Sequence, residues 1–435
     1  MPLLKFLKRP ISIISSKPYH QQAPKMATPI YSPSPRLERF EQAMQSVYGS
    51  FTFIPNPSQW TPPPNSGGHR GRYLWTDAYG VLNLLTMHRE YTQAIGSGTH
   101  TDEAEKTRYL VLAQRLVETV HGVLGRTRDG KSWLPGASAE NPVGGGLRIG
   151  KTDERGPDGD GQYHHYLTVW MFALNRLSLA TGDARYNRQA IALAKAIHAR
   201  FFVNRESSRP RMVWKMAMDL SAPLVASEGN LDPIDGYVVF RLLQAAAMEL
   251  DGEKEPVLSE EIADYQRVIE RKGEHFVSSD PLDLGMTLWT AHWFSKEEDW
   301  AARLAARCYE QICMSSIPLS LHLCCLLCQV LTSVDDLFEI NRYLERNVKR
   351  RLAFREFGTC LGLQCQAEQA TEKDRAVDLK VYADAIITAW DPAMELTLES
   401  DMADDGLRPI TRVMYATALV PGGEYFVSKV LGRCC

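Results

Sequence analysis

Asp158-Gly159-Asp160-Gly161-Gln162-Tyr163-His164-His165-Tyr166-Leu167-Thr168-Val169-Trp170-Met171-Phe172-Ala173-Leu174 decides how this chain is read. A glycine-spaced acidic loop runs straight into a segment that is apolar on nearly every face, residues 162–180. A helix apolar all round has to be enclosed by other helices, whereas one with a single apolar stripe lies on the outside of a domain. The stretch therefore predicts a buried inner helix with carboxylates, two imidazoles and a phenol at its mouth.

The same kind of segment recurs at 73–95, 234–250, 282–294, 318–331 and 376–391. Between these lie one-sided helices at 36–48, 102–124, 185–202, 258–276, 297–314 and 335–350. In 185–202, for example, Ile191, Ala194, Ile197 and Phe201 share a face, while Arg188, Lys195 and Arg200 point elsewhere. Strict alternation of outer and inner helices, six times over, predicts an all-α fold, an (α/α)6 barrel or six-hairpin toroid with a single central pocket. The barrel is expected over 36–395, after an N-terminal tail at 1–35 and before a C-terminal tail at 396–435 that packs on it. Long connections at 49–72, 125–161, 203–233 and 351–375 lead into inner helices one, two, three and six. Long ordered loops in compact domains carry function, so the pocket mouth is expected on the rim where inner helices begin.

Composition narrows the function classes. A net charge of -3 with no basic stripe argues against nucleic acid and anionic membranes as partners, leaving a small-molecule substrate. No run of about 18 apolar residues is present, so no transmembrane segment is expected. All nine cysteines lie after residue 307, and an odd, crowded set does not read as a secreted disulfide framework. A cytoplasmic location is expected. The alternative is mitochondrial: the first 37 residues hold no Asp or Glu but carry Lys5, Lys8, Arg9, Lys17, Lys25 and Arg36. A disordered tail is the plainer reading of that composition.

Glycosidic bond cleavage needs two carboxyl groups, about 5 Å apart for retention or 6.5–9.5 Å for inversion. Acids at the starts of different inner helices meet across a funnel, and Asp160, flanked by Gly159 and Gly161, with Asp235 is the expected acid/base pair. His164 and Tyr163 are the further catalytic candidates. Adjacent helical positions point about 100° apart, so His164 and His165 cannot serve one site equally. Substrate-binding candidates are Asp77, Trp75, Arg148, Lys151, His165, Trp170, Lys215, Asp232 and Tyr237. The aromatic rings offer stacking faces for sugar or terpenoid, and the cations offer a hold on a carboxylate or phosphate. A competing structural reading attaches to Asp232-Pro233-Ile234-Asp235 and Asp280-Pro281-Leu282-Asp283, which have the form of helix starts with an Asp cap and Pro at the first position. Cys325-Leu326-Leu327-Cys328 sits inside an apolar segment with no second pair, so core packing is expected, with no metal and no cofactor.

With the alternating hairpins, Leu147-Arg148-Ile149-Gly150-Lys151, Asp160-Gly161-Gln162-Tyr163, His165-Tyr166-Leu167-Thr168, Trp214-Lys215-Met216 and Asp232-Pro233-Ile234-Asp235-Gly236 resemble the six-hairpin glycosidase-like superfamily. The likeness is strongest to an uncharacterised microbial group within it. That resemblance implies a glycosidase-like enzyme acting on a glycoside or polyol. The superfamily also holds sugar epimerases, polysaccharide lyases and a linalool dehydratase-isomerase type, which keeps open a lyase, isomerase or dehydratase of a small, terpenoid-like secondary metabolite. A non-catalytic binding toroid is the third reading.

Overall fold

Twelve α-helices organise the described residues of the computed structural model. They are α1 Pro35–Tyr48, α2 Leu74–Ile95, α3 Glu103–Leu124, α4 His164–Thr181, α5 Arg185–Phe201, α6 Asp232–Leu250, α7 Ser259–Lys272, α8 Pro281–His292, α9 Asp299–Met314, α10 Ala353–Gln369, α11 Lys373–Glu399 and α12 Arg408–Leu419. The described residues run from 34 to 425, except for 52–53, 96–102, 157, 253–254, 273–276, 279, 315–350, 371–372 and 400–407.

The even-numbered helices pack in a closed ring, α2 on α4, α4 on α6, α6 on α8, α8 on α10, α10 on α12 and α12 back on α2. The odd-numbered helices lie outside it: α3 on α2, α5 on α4, α7 on α6, α9 on α8, α11 on α10 and α1 on α12. This is the all-α toroid that the alternating patterns predict. Burial follows the patterns, since α4 is enclosed from Leu167 to Ser178, whereas α5 hides Ala190, Leu193, Ala194, Ile197 and Phe201 on one stripe. Each fully enclosed Leu or Phe contributes about 1.5–3 kcal/mol relative to exposure.

In the last third the expected assignment needs correction. Residues 376–391, expected as the sixth inner helix, lie within the outer helix α11; 351–375, expected as a loop, is mostly the inner helix α10. The sixth inner helix is α12, inside the stretch expected as a tail from 396 onwards. The expected helices at 318–331 and 335–350 fall outside the described residues, as does nearly all of the 1–35 tail. Gly358 and Gly362 make 353–369 a poor helix by propensity. Packing explains their presence, because a Cβ on Gly285 of α8 would stand 2.2 Å from the Gly358 carbonyl oxygen, and one on Gly362 the same distance from that of Gly285. Three glycines let α8 and α10 approach backbone to backbone, and that contact outweighs the propensity cost.

Side chains of facing inner helices meet across the ring. Tyr79 of α2 donates across it to Met286 Sδ of α8 at 3.1 Å, and Phe172 of α4 meets Trp289 edge-on at 4.8 Å. The Arg176 guanidinium lies 5.1 Å from both the Phe172 and Trp293 rings. Two short antiparallel pairings tie the rim loops together: β1 (Gln162–Tyr163) with β4 (Lys215–Met216), and β2 (Phe202–Val203) with β3 (Arg211–Met212).

Candidate active site at the helix-start rim

The first turns of α2, α4, α6 and α8 bring Tyr73, Trp75, the 164–166 triplet, Asp232, Asp235 and Asp283 to one rim. His164 and His165 diverge as the helical repeat requires. His164 is buried and points outward, its Nε2 2.7 Å from the Tyr265 hydroxyl of α7 and its ring against Phe201 of α5. His165 points to the rim and is half-buried among Trp75, Tyr163, Tyr166 and Trp214, with ring centroids 5.0–6.5 Å away.

Asp232 links the two histidines. Its Oδ1 accepts from the His165 backbone N–H at 3.1 Å and stands 3.4 Å from His165 Nδ1 and 3.5 Å from His164 Nδ1. Burial by itself would raise the Asp232 carboxyl, but the close approach of His164 and His165 outweighs it and holds the group well below the usual carboxylate range. The helix-start reading of Asp232 is corrected here. The chain is already right-handed helical at Leu231, so no side-chain cap forms on α6, and the carboxylate instead caps the first turn of the neighbouring α4. Asp280 does cap its own helix, accepting from Leu282 N at 2.9 Å and Asp283 N at 3.3 Å.

The expected partners Asp160 and Asp235 have separate surroundings. Asp160 Oδ1 accepts from the backbone N–H of Gly150, Lys151 and Gly161 at 2.9, 3.2 and 3.0 Å. Its Oδ2 accepts from Arg128 at 2.7 Å and Arg148 at 3.0 Å. Five donors saturate it, which makes Asp160 the organising anion of the 126–161 loop rather than an acid open to a substrate. Arg148 is likewise spent on structure, since it also donates to the Arg126 and Val123 carbonyls at 3.0 and 3.1 Å. Gly150 follows from the same construction, with φ +82° and a place where any Cβ would meet the Arg72 carbonyl oxygen at 2.2 Å.

Asp235 is buried with both carboxyl oxygens unpartnered. Burial first, then the neighbouring Asp232 and Asp283, push its carboxyl well above the ordinary range. Asp283 is half-buried, and desolvation raises it as well, against the hydrogen bond from Ser278 and the proximity of His165.

Of the remaining candidates, Trp75 lies on the rim cluster, 5.0 Å from the Tyr166 ring and 5.3 Å from Tyr79. Tyr163 packs on Trp214 at 5.2 Å and Tyr166 at 5.4 Å, and its hydroxyl donates to the Gly159 carbonyl at 3.3 Å. The Lys151 ammonium sits 5.8 Å from the Tyr73 ring centre and that of Lys215 5.1 Å from Tyr163. Three candidates lie elsewhere. Asp77 is buried under the α1–α2 loop, accepting from Ser66, Tyr48 and Arg72 at 2.5, 3.1 and 3.4 Å. Trp170 is core, its indole donating to His121 Nε2 at 3.1 Å. Tyr237 packs on Trp300 of the outer helix α9 at 5.7 Å.

Tyr166 is the rim residue that pattern reading passed over as a candidate. Its hydroxyl is 2.6 Å from that of Tyr73, and burial raises it to about 12 despite that bond. It follows His165 directly, and the turn of α4 that aims His165 at the rim also brings Tyr166 there. Among the described residues no group of three metal-ligating side chains occurs. No helix among them is long and apolar enough to cross a membrane.

No protein-family model matches the sequence, and the comparison with curated proteins gives no match. Among solved structures, the chain is similar to a family 76 glycoside hydrolase from a bovine Bacteroides thetaiotaomicron strain, at 11% identity and a TM-score of 0.43, over 89% of this chain and 78% of that one.

Proposed function

We propose that the rim is the active site of an acid–base enzyme acting on a glycoside or polyol. His165 is the proton carrier, Asp232 orients it, and Asp283 is the accessible acid. The observation that carries this reading is the setting of His165: its Nδ1 side is held by a buried carboxylate while its side chain, among four aromatic rings, keeps 21% of its surface exposed. A carboxylate on one ring nitrogen fixes the tautomer and leaves the other nitrogen for a substrate proton. Tyr73, Tyr166 and Trp214, each half-buried, supply ring faces suited to the apolar side of a sugar.

A second reading, proton transfer by a lyase, isomerase or dehydratase, is favoured by one feature of the same rim. Asp232 beside His165 is committed to holding the imidazole, which leaves the partly exposed Asp283 as the acid for the substrate, where two-carboxylate hydrolysis would need a pair. A panel of nitrophenyl glycosides, oligosaccharides and polyols, followed by NMR of the products, separates the two. A new anomeric centre supports hydrolysis; loss of water or migration of a double bond supports the second reading. In either case His165→Ala should lower kcat by about 10²–10⁴-fold. An unchanged rate in His165→Ala on a substrate that is turned over would overturn both.

A further inference from the structure

We propose that His164 and Tyr265 are positioning residues of the rim site. Tyr265, on the outer helix α7, donates its hydroxyl proton to His164 Nε2. His164 is thereby the Nδ1–H tautomer, and that N–H faces the Asp232 carboxylate that holds His165. The task given to His165 rests on the function proposed above; the tautomer of His164 does not.

The four groups form one line of contacts from the outer layer to the rim. The Tyr265 oxygen is 2.7 Å from His164 Nε2, His164 Nδ1 is 3.5 Å from Asp232 Oδ1, and the same oxygen is 3.4 Å from His165 Nδ1. His164 and Tyr265 are both fully buried, so their polar atoms have to be matched inside the protein. The Tyr265 hydroxyl has no other partner among the described residues. An Nε2–H on His164 would meet the tyrosine oxygen but strand its O–H proton, and would turn a bare Nδ1 lone pair toward a carboxylate. An imidazolium would suit Asp232 and strand the same O–H. The Nδ1–H form suits both neighbours.

Packing keeps the arrangement in place. The Tyr265 ring stands edge-on to His198 at 4.9 Å and Phe240 at 5.0 Å, and Phe201 closes on the His164 ring at 5.2 Å. Gly236 of α6 leaves the space for it, since a Cβ there would stand 2.3 Å from the Tyr265 ring. Burial also pushes the Tyr265 hydroxyl well above the usual tyrosine range, so it keeps the proton it donates. Asp232 Oδ1 is thus met from the outer side by His164 and from the rim side by the backbone N–H and ring of His165. Without the outer contact the carboxylate is free to turn away from the rim imidazole.

NMR of the full chain with ring-¹⁵N histidine, at about pH 8 and so above the ordinary histidine range, tests this. The nitrogens of His164, assigned by their loss in His164→Gln, should show a protonated Nδ1 and a bare Nε2. Tyr265→Phe removes one oxygen and keeps the ring. It should shift His164 toward a mixture of the two tautomers and shift the nitrogens of His165 as well. Phe201→Leu alters packing on the same imidazole and touches no hydrogen bond, so both patterns should stay as in wild type. An Nε2–H form or an imidazolium for His164 in the wild-type chain would overturn the assignment whatever the variants do. A Tyr265→Phe response that is absent or confined to His164 would overturn the positioning role, and equal shifts in Phe201→Leu would reduce the pair to packing. Failure of the proposed function would show differently, as turnover unchanged in His165→Ala with the wild-type signals of His164 unaltered.

Discussion

Asp232, in the first turn of α6, accepts the backbone N–H of His165 in the first turn of α4 at 3.1 Å, and the same oxygen lies 3.4 Å from that histidine's Nδ1. One carboxylate thus fixes where an inner helix begins and how its rim-facing imidazole is turned. Replacing it should harm both. Asp232→Asn keeps the shape but loses the charge in a buried hydrogen-bonded setting, at a cost of about 1.5–3 kcal/mol in urea unfolding at pH 7. Because the folded carboxyl is depressed, its contribution is complete above the unfolded value near 4 and fades as pH falls toward the lower folded value. The gap between wild type and Asp232→Asn should therefore narrow in acid. A gap that stays constant down to about pH 2 contradicts this.

Asp235 carries the opposite sign. Its folded carboxyl is raised, so the native state holds a proton that the unfolded state has released above about pH 4, and its contribution to stability falls as pH rises toward the folded value. Asp235→Asn keeps a neutral group of the same shape and removes the titration. Plotted against pH from 4 upward, the stability of wild type minus that of Asp235→Asn should slope downward. Parallel curves would mean that Asp235 ionises freely, and that burial does not raise its carboxyl.

Asp160 is predicted to be a structural anion. Asp160→Asn strands the buried Arg148 guanidinium without its counter-charge, a loss of about 3–5 kcal/mol, seen as a lowered Tm and an earlier urea midpoint. A variant that melts with wild type but has lost all turnover would restore Asp160 to the chemistry and contradict the loop-anchor role.

The two adjacent histidines should separate cleanly. His164 is buried against Tyr265 and Phe201, so His164→Ala opens a cavity and leaves the Tyr265 hydroxyl without its partner, costing about 2–4 kcal/mol. His165→Ala, at a partly exposed position, should cost less stability than His164→Ala while lowering kcat by about 10²–10⁴-fold. Thermal melts of both variants, read beside turnover, check this. A His165→Ala variant that melts as early as His164→Ala would recast His165 as packing.

Much of this molecule was legible in the residues, and the failures have identifiable causes. Periodicity found the ring because enclosure and one-sidedness leave different patterns, as in α4 and α5. The 100° argument separates the directions of His164 and His165, but periodicity lacks the absolute phase and does not say which of the two reaches the rim. The ion pairs of Asp160 are not legible in the residues because a flexible Gly-Asp-Gly does not reveal Arg128, 32 positions away, closing on it. Helix α10 was missed because Gly358 and Gly362 lower propensity for the sake of a contact with Gly285 that exists only once the ring has closed.

The strongest test of ring closure is truncation before α12. Within this helix Val413, Met414, Tyr415, Ala416 and Leu419 are buried, Asn83 of α2 donates to the Val413 carbonyl at 3.0 Å, and Thr417 donates to Asn83 at 3.0 Å. At about 1.5–3 kcal/mol for each large apolar side chain, removing it forfeits on the order of 10 kcal/mol, comparable to the whole net stability of a typical protein. It also opens the ring, uncovering apolar faces of α2 and α10. A chain ending at residue 395 should be insoluble or lack a cooperative melt, whereas one ending at residue 425 should unfold cooperatively. Cooperative unfolding of the shorter chain near the full-length Tm would mean that α12 is the packed-on tail first expected from the sequence, and that the ring is held by the other helices alone.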